Sequence, residues 1–152
     1  MTLKEYKKKR DFSKIDEPKQ AGKGKHVFVI QKHKASRLHY DFRLSIGGVL
    51  KSWAIPKQPV KRAGVKRLAV ETEDHPMNYK DFEGIIPEGQ YGAGKVEIWD
   101  KGRYEHLQSE SMKQAYKKGK MVFRLEGKRL KGDYALIKTK DKNWLFFKKK
   151  HD

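Results

Sequence analysis

The sequence predicts a mainly β protein, an antiparallel barrel or sandwich with one or two flanking helices. Short runs rich in β-branched and aromatic residues recur from His26 to the C-terminal region. Turn-forming residues separate these runs at close intervals. A single stretch carries helix signals. Many short strands with few helices leave closure into a barrel or stacking into a sandwich as the stable solutions.

Taken in order, residues 1–25 show no sustained period and end in "AGKGK", which reads as a basic arm. The strand runs are "HVFVIQKH", "LHYDFRLSI", "VLKSWAI", "KRLAVETE", "KVEIWDKGRYEHL", "KMVFRLEG", "YALIKTK" and "WLFFKKK". Hairpin-type connections are expected at "IGGV", "WDKGRY", "EGKRLKGDY" and "KDKN". The helix is expected at "SESMKQAYKKGK", capped by Ser109 or Ser111 and ended by Gly119, and it should cover one end of the sheet.

The chain has 152 residues with Lys+Arg 37 against Asp+Glu 19, a formal charge of +18. That excess favours polyanionic partners, nucleic acid before an anionic membrane. Seven Phe, seven Tyr and three Trp supply the core mass that disordered chains lack. There is no cysteine, so a transition metal would need His, Asp, Glu or water as ligands. The uninterrupted apolar runs, such as Val27 to Ile30, are far shorter than the ~20 residues of a membrane span, and Met1 to Arg10 has no signal-peptide core. The expectation is a soluble intracellular protein with no membrane association.

The stretch "QKHKASRLHYDFRL" concentrates the chemistry. Side chains two apart share a strand face, so His39, Asp41 and Arg43 should form a polar side about 14 Å long. Leu38, Tyr40, Phe42 and Leu44 take the core side. His33 rejoins the polar side if Lys34 to Arg37 bend. Two imidazoles and a carboxylate suit Mn²⁺, Zn²⁺ or Fe²⁺, and an adjacent arginine suits phosphate. The same residues would also make an ion-pair ladder on a surface strand, and spacing alone does not separate the two.

In "ETEDHPMNYKDFEG", His75 precedes Pro76, which holds it on an extended corner able to present its ring to a ligand, or simply to solvent. "EGIIPEGQYGAGKV" lacks the lysine-serine ending of a phosphate loop and reads as turn chemistry and close packing. His26, His106 and His151 are assigned to strand ends and tail.

"FVIQKHKASRLHYDFRL", "GVLKSWAIPK", "KRLAVETEDHPMNY" and "GIIPEGQYGAGKVEIWDKG" together resemble the 3′-phosphoesterase domain of bacterial DNA ligase D, which also occurs as free-standing proteins. The match runs from about Arg10 to about Trp144. The resemblance implies an antiparallel β-barrel over 26–150, with the arm 1–25 packed on it. It implies a metal-dependent enzyme, preferably with Mn²⁺, acting on DNA or RNA-DNA primer-template 3′ ends. Such an enzyme removes a terminal ribonucleoside to leave a 3′-phosphate, then removes that phosphate to leave a 3′-OH.

By motif position the resemblance puts metal ligands on His33, His39 and Asp41, and catalytic roles on Arg43, His75 and Tyr79. Supporting substrate-binding residues fall on Gln31, Lys57 and Arg67, and in the arm on Arg10, Asp11 and Glu17. A cytoplasmic, nucleoid-associated monomer is implied, working alone or with a separate DNA ligase or polymerase. The competing expectation is a basic barrel that binds nucleic acid without catalysis, its His-His-Asp group structural.

Overall fold

The computed structural model describes residues 26–150, so Arg10, Asp11, Glu17 and His151 lie outside the described residues. Nine strands form one antiparallel sheet: β1 (Val27–Lys34), β2 (Leu38–Ile46), β3 (Val49–Ile55), β4 (Arg67–Pro76), β5 (Gly84–Ile86), β6 (Gly94–His106), β7 (Lys120–Glu126), β8 (Lys131–Lys140) and β9 (Asn143–Lys148). Their order is β1-β2-β3-β4-β9-β8-β7-β6-β5, and β1 also pairs with β6, which closes the sheet into a barrel and leaves β5 on its outside. The expected barrel is thus present, and closure removes the unpaired edges an open sheet would expose.

Alternation along the strands fills the interior. Phe28 and Ile30 of β1, Phe42 and Leu44 of β2, and Trp53 and Ile55 of β3 all belong to one buried cluster. Phe42 sits at its centre, with ring centroids 4.7 Å from Phe146, 6.0 Å from Phe123 and 6.1 Å from Phe28. Burying each such side chain removes apolar area worth about 1.5–3 kcal/mol from water.

One α-helix is present among the described residues, α1 (Met112–Lys118). Ser111 caps it in a capping box with Gln114, and Gly119 ends it in the left-handed region at φ 82°. Met112 and Ala115 enter the interior cluster, and Tyr116 stacks on Trp144 at 5.9 Å. The Glu71 carboxylate ties this contact down by accepting from Tyr116 Oη and from Trp144 Nε1.

Two sequence expectations are corrected. "WDKGRY" is not a hairpin: it lies within the continuous strand β6, where Gly102 pairs with Phe28 of β1. Its glycine is there because a Cβ would come 2.2 Å from the Glu126 carbonyl oxygen, and the buried Asp100 carboxylate accepts from the backbone N–H groups of Lys101, Lys128 and Leu130. Leu38 is not on the core side but 46% exposed, because it starts β2 beyond the end of the packed interior.

The segment read as turn chemistry also carries β5. Its tight packing is real, since a Cβ on Gly94 would meet the Lys34 carbonyl oxygen at 2.1 Å.

Candidate metal and phosphate site

The site lies on the outer face of β1 to β4. The β1–β2 register sets His33 opposite His39 and Gln31 opposite Asp41, and β2–β3 sets Arg43 opposite Ser52. The bend after Lys34 therefore returns His33 to the face of His39, Asp41 and Arg43. His75 reaches the same face through a bulge: Leu50 pairs with His75 and Ser52 with Thr72, so three steps of β4 oppose two of β3. The extra residue re-aims the His75 side chain, a common use of bulges beside functional sites.

This face is not open in the way a surface ladder would be. Asp41 is 6% exposed and Arg43 4%, because the 3-10 turn Met77–Asp81 and the segment running on through β5 to Gly92 cover it. A cavity of about 450 Å³ remains, lined by the polar His33, His39, Asp41, Arg43 and His75 and by the apolar or aromatic Phe82, Ile85, Ile86 and Tyr91.

Hydrogen bonds fix which nitrogens point inward. His33 Nε2 lies 2.7 Å from the Gly92 carbonyl oxygen and His39 Nδ1 lies 3.1 Å from that of Arg37, so each donates outward. The remaining ring atoms, His33 Nδ1 and His39 Nε2, face the two Asp41 oxygens at 3.5 and 3.2 Å. With neutral rings all the inward atoms are acceptors, an arrangement that repels itself unless a cation sits among them. Their ligand atoms lie within 4.8 Å of one another, and ring N–H groups bonded to backbone carbonyls are the usual support of metal-binding imidazoles. The donor set therefore fits a divalent ion.

Burial raises the Asp41 carboxyl, but the Arg43 charge and the hydrogen bonds from His33 and His39 outweigh it and hold it well below the usual carboxylate range. The hydrogen bond to Asp41 raises the His39 pKa, against a smaller opposing effect of burial.

Arg43 is held from several sides. Its Nε donates to Gln31 Oε1 at 2.6 Å, Nη1 to Ser52 Oγ at 2.9 Å, and Nη2 lies 3.4 Å from Asp41 Oδ2. Gln31 is in turn locked by donating to the Tyr79 and Phe82 carbonyls. His75 Nδ1 lies 3.2 Å from Arg43 Nη1 and 3.0 Å from the Glu73 carbonyl; protonated it donates to Glu73, bare it accepts from Arg43. The Tyr79 ring packs against both, 4.9 Å from the guanidinium and 4.7 Å from the His75 ring, and burial raises its phenol pKa despite the nearby arginine.

Lys57 and Arg67 do not join the cavity. Lys57 is exposed in the bend after β3, and Arg67 starts β4 with Nε donating to the Gln58 carbonyl. Sequence reasoning missed Ser52, Gly92 and the apolar wall. Ser52 had a signal, as a lone small polar residue in "VLKSWAI". Gly92 had none, because it acts through its carbonyl.

A barrel carrying a cation-ready His-His-Asp group beside a buried arginine has the donor set of a metal-assisted phosphoryl site. Residues 31–138 match the family model described as the DNA Ligase D 3′-phosphoesterase domain, and the chain belongs to that family. It is 46% identical to the multifunctional non-homologous end joining protein LigD of Pseudomonas aeruginosa, over 97% of this chain and 18% of that protein. With the Mycobacterium tuberculosis protein, the multifunctional non-homologous end joining DNA repair protein LigD, it shares 47% identity over 94% of this chain and 19% of its relative. The chain thus spans about a fifth of the length of these relatives. Among the described residues no helix is long and apolar enough to cross a membrane.

Proposed function

We propose that the protein is a Mn²⁺-dependent 3′-end-healing phosphoesterase. It removes a 3′-terminal ribonucleoside and then the 3′-phosphate, leaving a 3′-OH at primer-template ends in DNA break repair. The observation that carries this reading is the inward convergence of His33 Nδ1, His39 Nε2 and Asp41 beside Arg43. Family membership and the relatives' end-joining names support it.

In this mechanism His33, His39 and Asp41 hold the metal, which supplies Lewis-acid polarisation of the phosphoryl group. Arg43, locked in place by Gln31 and Ser52, presents its guanidinium to phosphoryl oxygens and offsets charge that grows in the transition state. Protonated His75 adds a second positive group beside it. Tyr79 holds the two in register through its ring. The charge of +18 draws the nucleic acid strand by its phosphates, with Lys57 and Arg67 contacting substrate outside the cavity and Arg10, Asp11 and Glu17 of the arm as further substrate-binding residues. The 3′-OH product is what a separate polymerase or ligase would consume. The protein acts as a monomer, in the cytoplasm.

The deciding experiment is phosphate release from a primer-template bearing a 3′-phosphate, with Mn²⁺ and with excess EDTA. Release that depends on the ion is expected. Binding of the duplex with no release at any metal concentration would leave a nucleic-acid-binding barrel instead.

A further inference from the structure

The mechanism leaves the apolar lining of the cavity unused. Tyr91 is 68% exposed and Ile85 75% exposed, although both line the same cavity as His33 and Arg43. Large apolar side chains left in water beside a polar site mark a contact surface. The backbone around Tyr91 is also held in place. Gly92 follows it at φ 76°, Ala93 N–H donates to the Gln90 carbonyl, and the Gly92 carbonyl accepts from His33. The backbone that carries the ring is therefore held one residue from a hydrogen bond to a candidate metal ligand.

Charge narrows what this wall can take. Residues 81–94 contain no lysine or arginine in a chain of net charge +18, and of their carboxylates Asp81 is paired with Lys80 and Lys101 while Glu83 accepts from the Ile98 N–H. Such a segment supplies no cation to a strand carrying further phosphates, whereas a neutral nucleoside needs none. Base stacking on an aromatic ring needs no charge and tolerates any base.

We propose that Tyr91, flanked by Ile85, is the stacking subsite for the base of the 3′-terminal nucleoside that is released, while the polyanionic primer extends away from this segment. This rests on the phosphoesterase reading above. In the step concerned, a water oxygen bonds to phosphorus and the bond from phosphorus to the 5′-oxygen of the terminal nucleoside breaks. That oxygen keeps the electron pair and takes a proton derived from the water. The products are a free nucleoside and a primer 3′-phosphate. The next step has no base in the subsite.

The test compares two substrates with Mn²⁺: a primer ending in one ribonucleotide, and the same primer ending in 3′-phosphate. Tyr91→Ala should lower kcat/KM for nucleoside removal by about tenfold and leave phosphate removal unchanged, and Tyr91→Phe should restore the first. A primer whose terminal ribose lacks its base should lose the same factor with the wild-type protein and nothing further with Tyr91→Ala. Equal loss on both substrates, or no loss on either, overturns the subsite while leaving the enzyme reading intact. A wild-type protein inactive on both substrates overturns that reading and the subsite together.

Discussion

His33 and His39 face each other across the β1–β2 hairpin as register partners, their ring centroids 4.8 Å apart. Each ring turns one nitrogen out to a backbone carbonyl and the other in to Asp41. His39 is the cleaner ligand to remove, being partly exposed. We expect His39→Ala to weaken Mn²⁺ binding at least about 100-fold by calorimetry, the upper range for losing even an indirect support of a metal. Unchanged affinity would make this group an ion-pair ladder. Asp41→Ala should also destabilise the fold, since it leaves the buried Arg43 guanidinium without its carboxylate.

The response to pH should change sign with the metal. In the metal-free protein the His39 pKa is raised above its ordinary 6.5, so its contribution is fully present below 6.5 and is lost as pH rises through the folded value. Asp41 is depressed, so its contribution is present above its ordinary 3.8 and is lost as pH falls towards its folded value. A bound ion needs both rings deprotonated. Thermal melts from pH 5.5 to 8 should show a Mn²⁺-induced rise in Tm that grows with pH. A rise independent of pH would place the ion elsewhere.

Arg43→Lys keeps the charge but cannot meet Gln31, Ser52 and Asp41 at once. Loss of one positioned donor typically costs about 3–4 kcal/mol in the transition state, so kcat should fall some 10²- to 10³-fold. Turnover at the wild-type rate would remove Arg43 from the chemistry.

His75 is expected to act protonated, its Nδ1 donating to the Glu73 carbonyl. The pH–rate profile should then lose its alkaline limb in His75→Ala. A profile of unaltered shape would leave His75 a packing partner of Tyr79 only.

Gly102→Ala tests the barrel independently of the site. The added Cβ meets Glu126 backbone at 2.2 Å, and backbone cannot step aside as a flexible side chain can. A loss of about 1–3 kcal/mol in denaturant unfolding is expected, with Mn²⁺ affinity of the folded fraction retained. Full stability would mean that β6 and β7 separate at little cost.

The local part of this protein was legible in its residues. Period-two alternation put His39, Asp41 and Arg43 on one face and Phe42 and Leu44 on the other, because side-chain direction along a strand depends only on neighbouring backbone. The Ser111 cap and Gly119 terminus of α1 were readable for the same reason. The Pro76 that follows it singled out His75, and family motifs gave it a role and added Tyr79, without showing how the two meet Arg43. What the tertiary structure decided is set by contacts between residues far apart in sequence. Gln31 is locked by Tyr79, 48 positions away, and the His33 tautomer is set by the Gly92 carbonyl, 59 positions away. The β4 bulge that aims His75 exists only against β3, and Gly102 in "WDKGRY" answers to Glu126 rather than to a turn. A backbone carbonyl has no side-chain signature and a register shift no composition, so the burial of the polar face and the apolar wall of its cavity emerged only once the chain was folded.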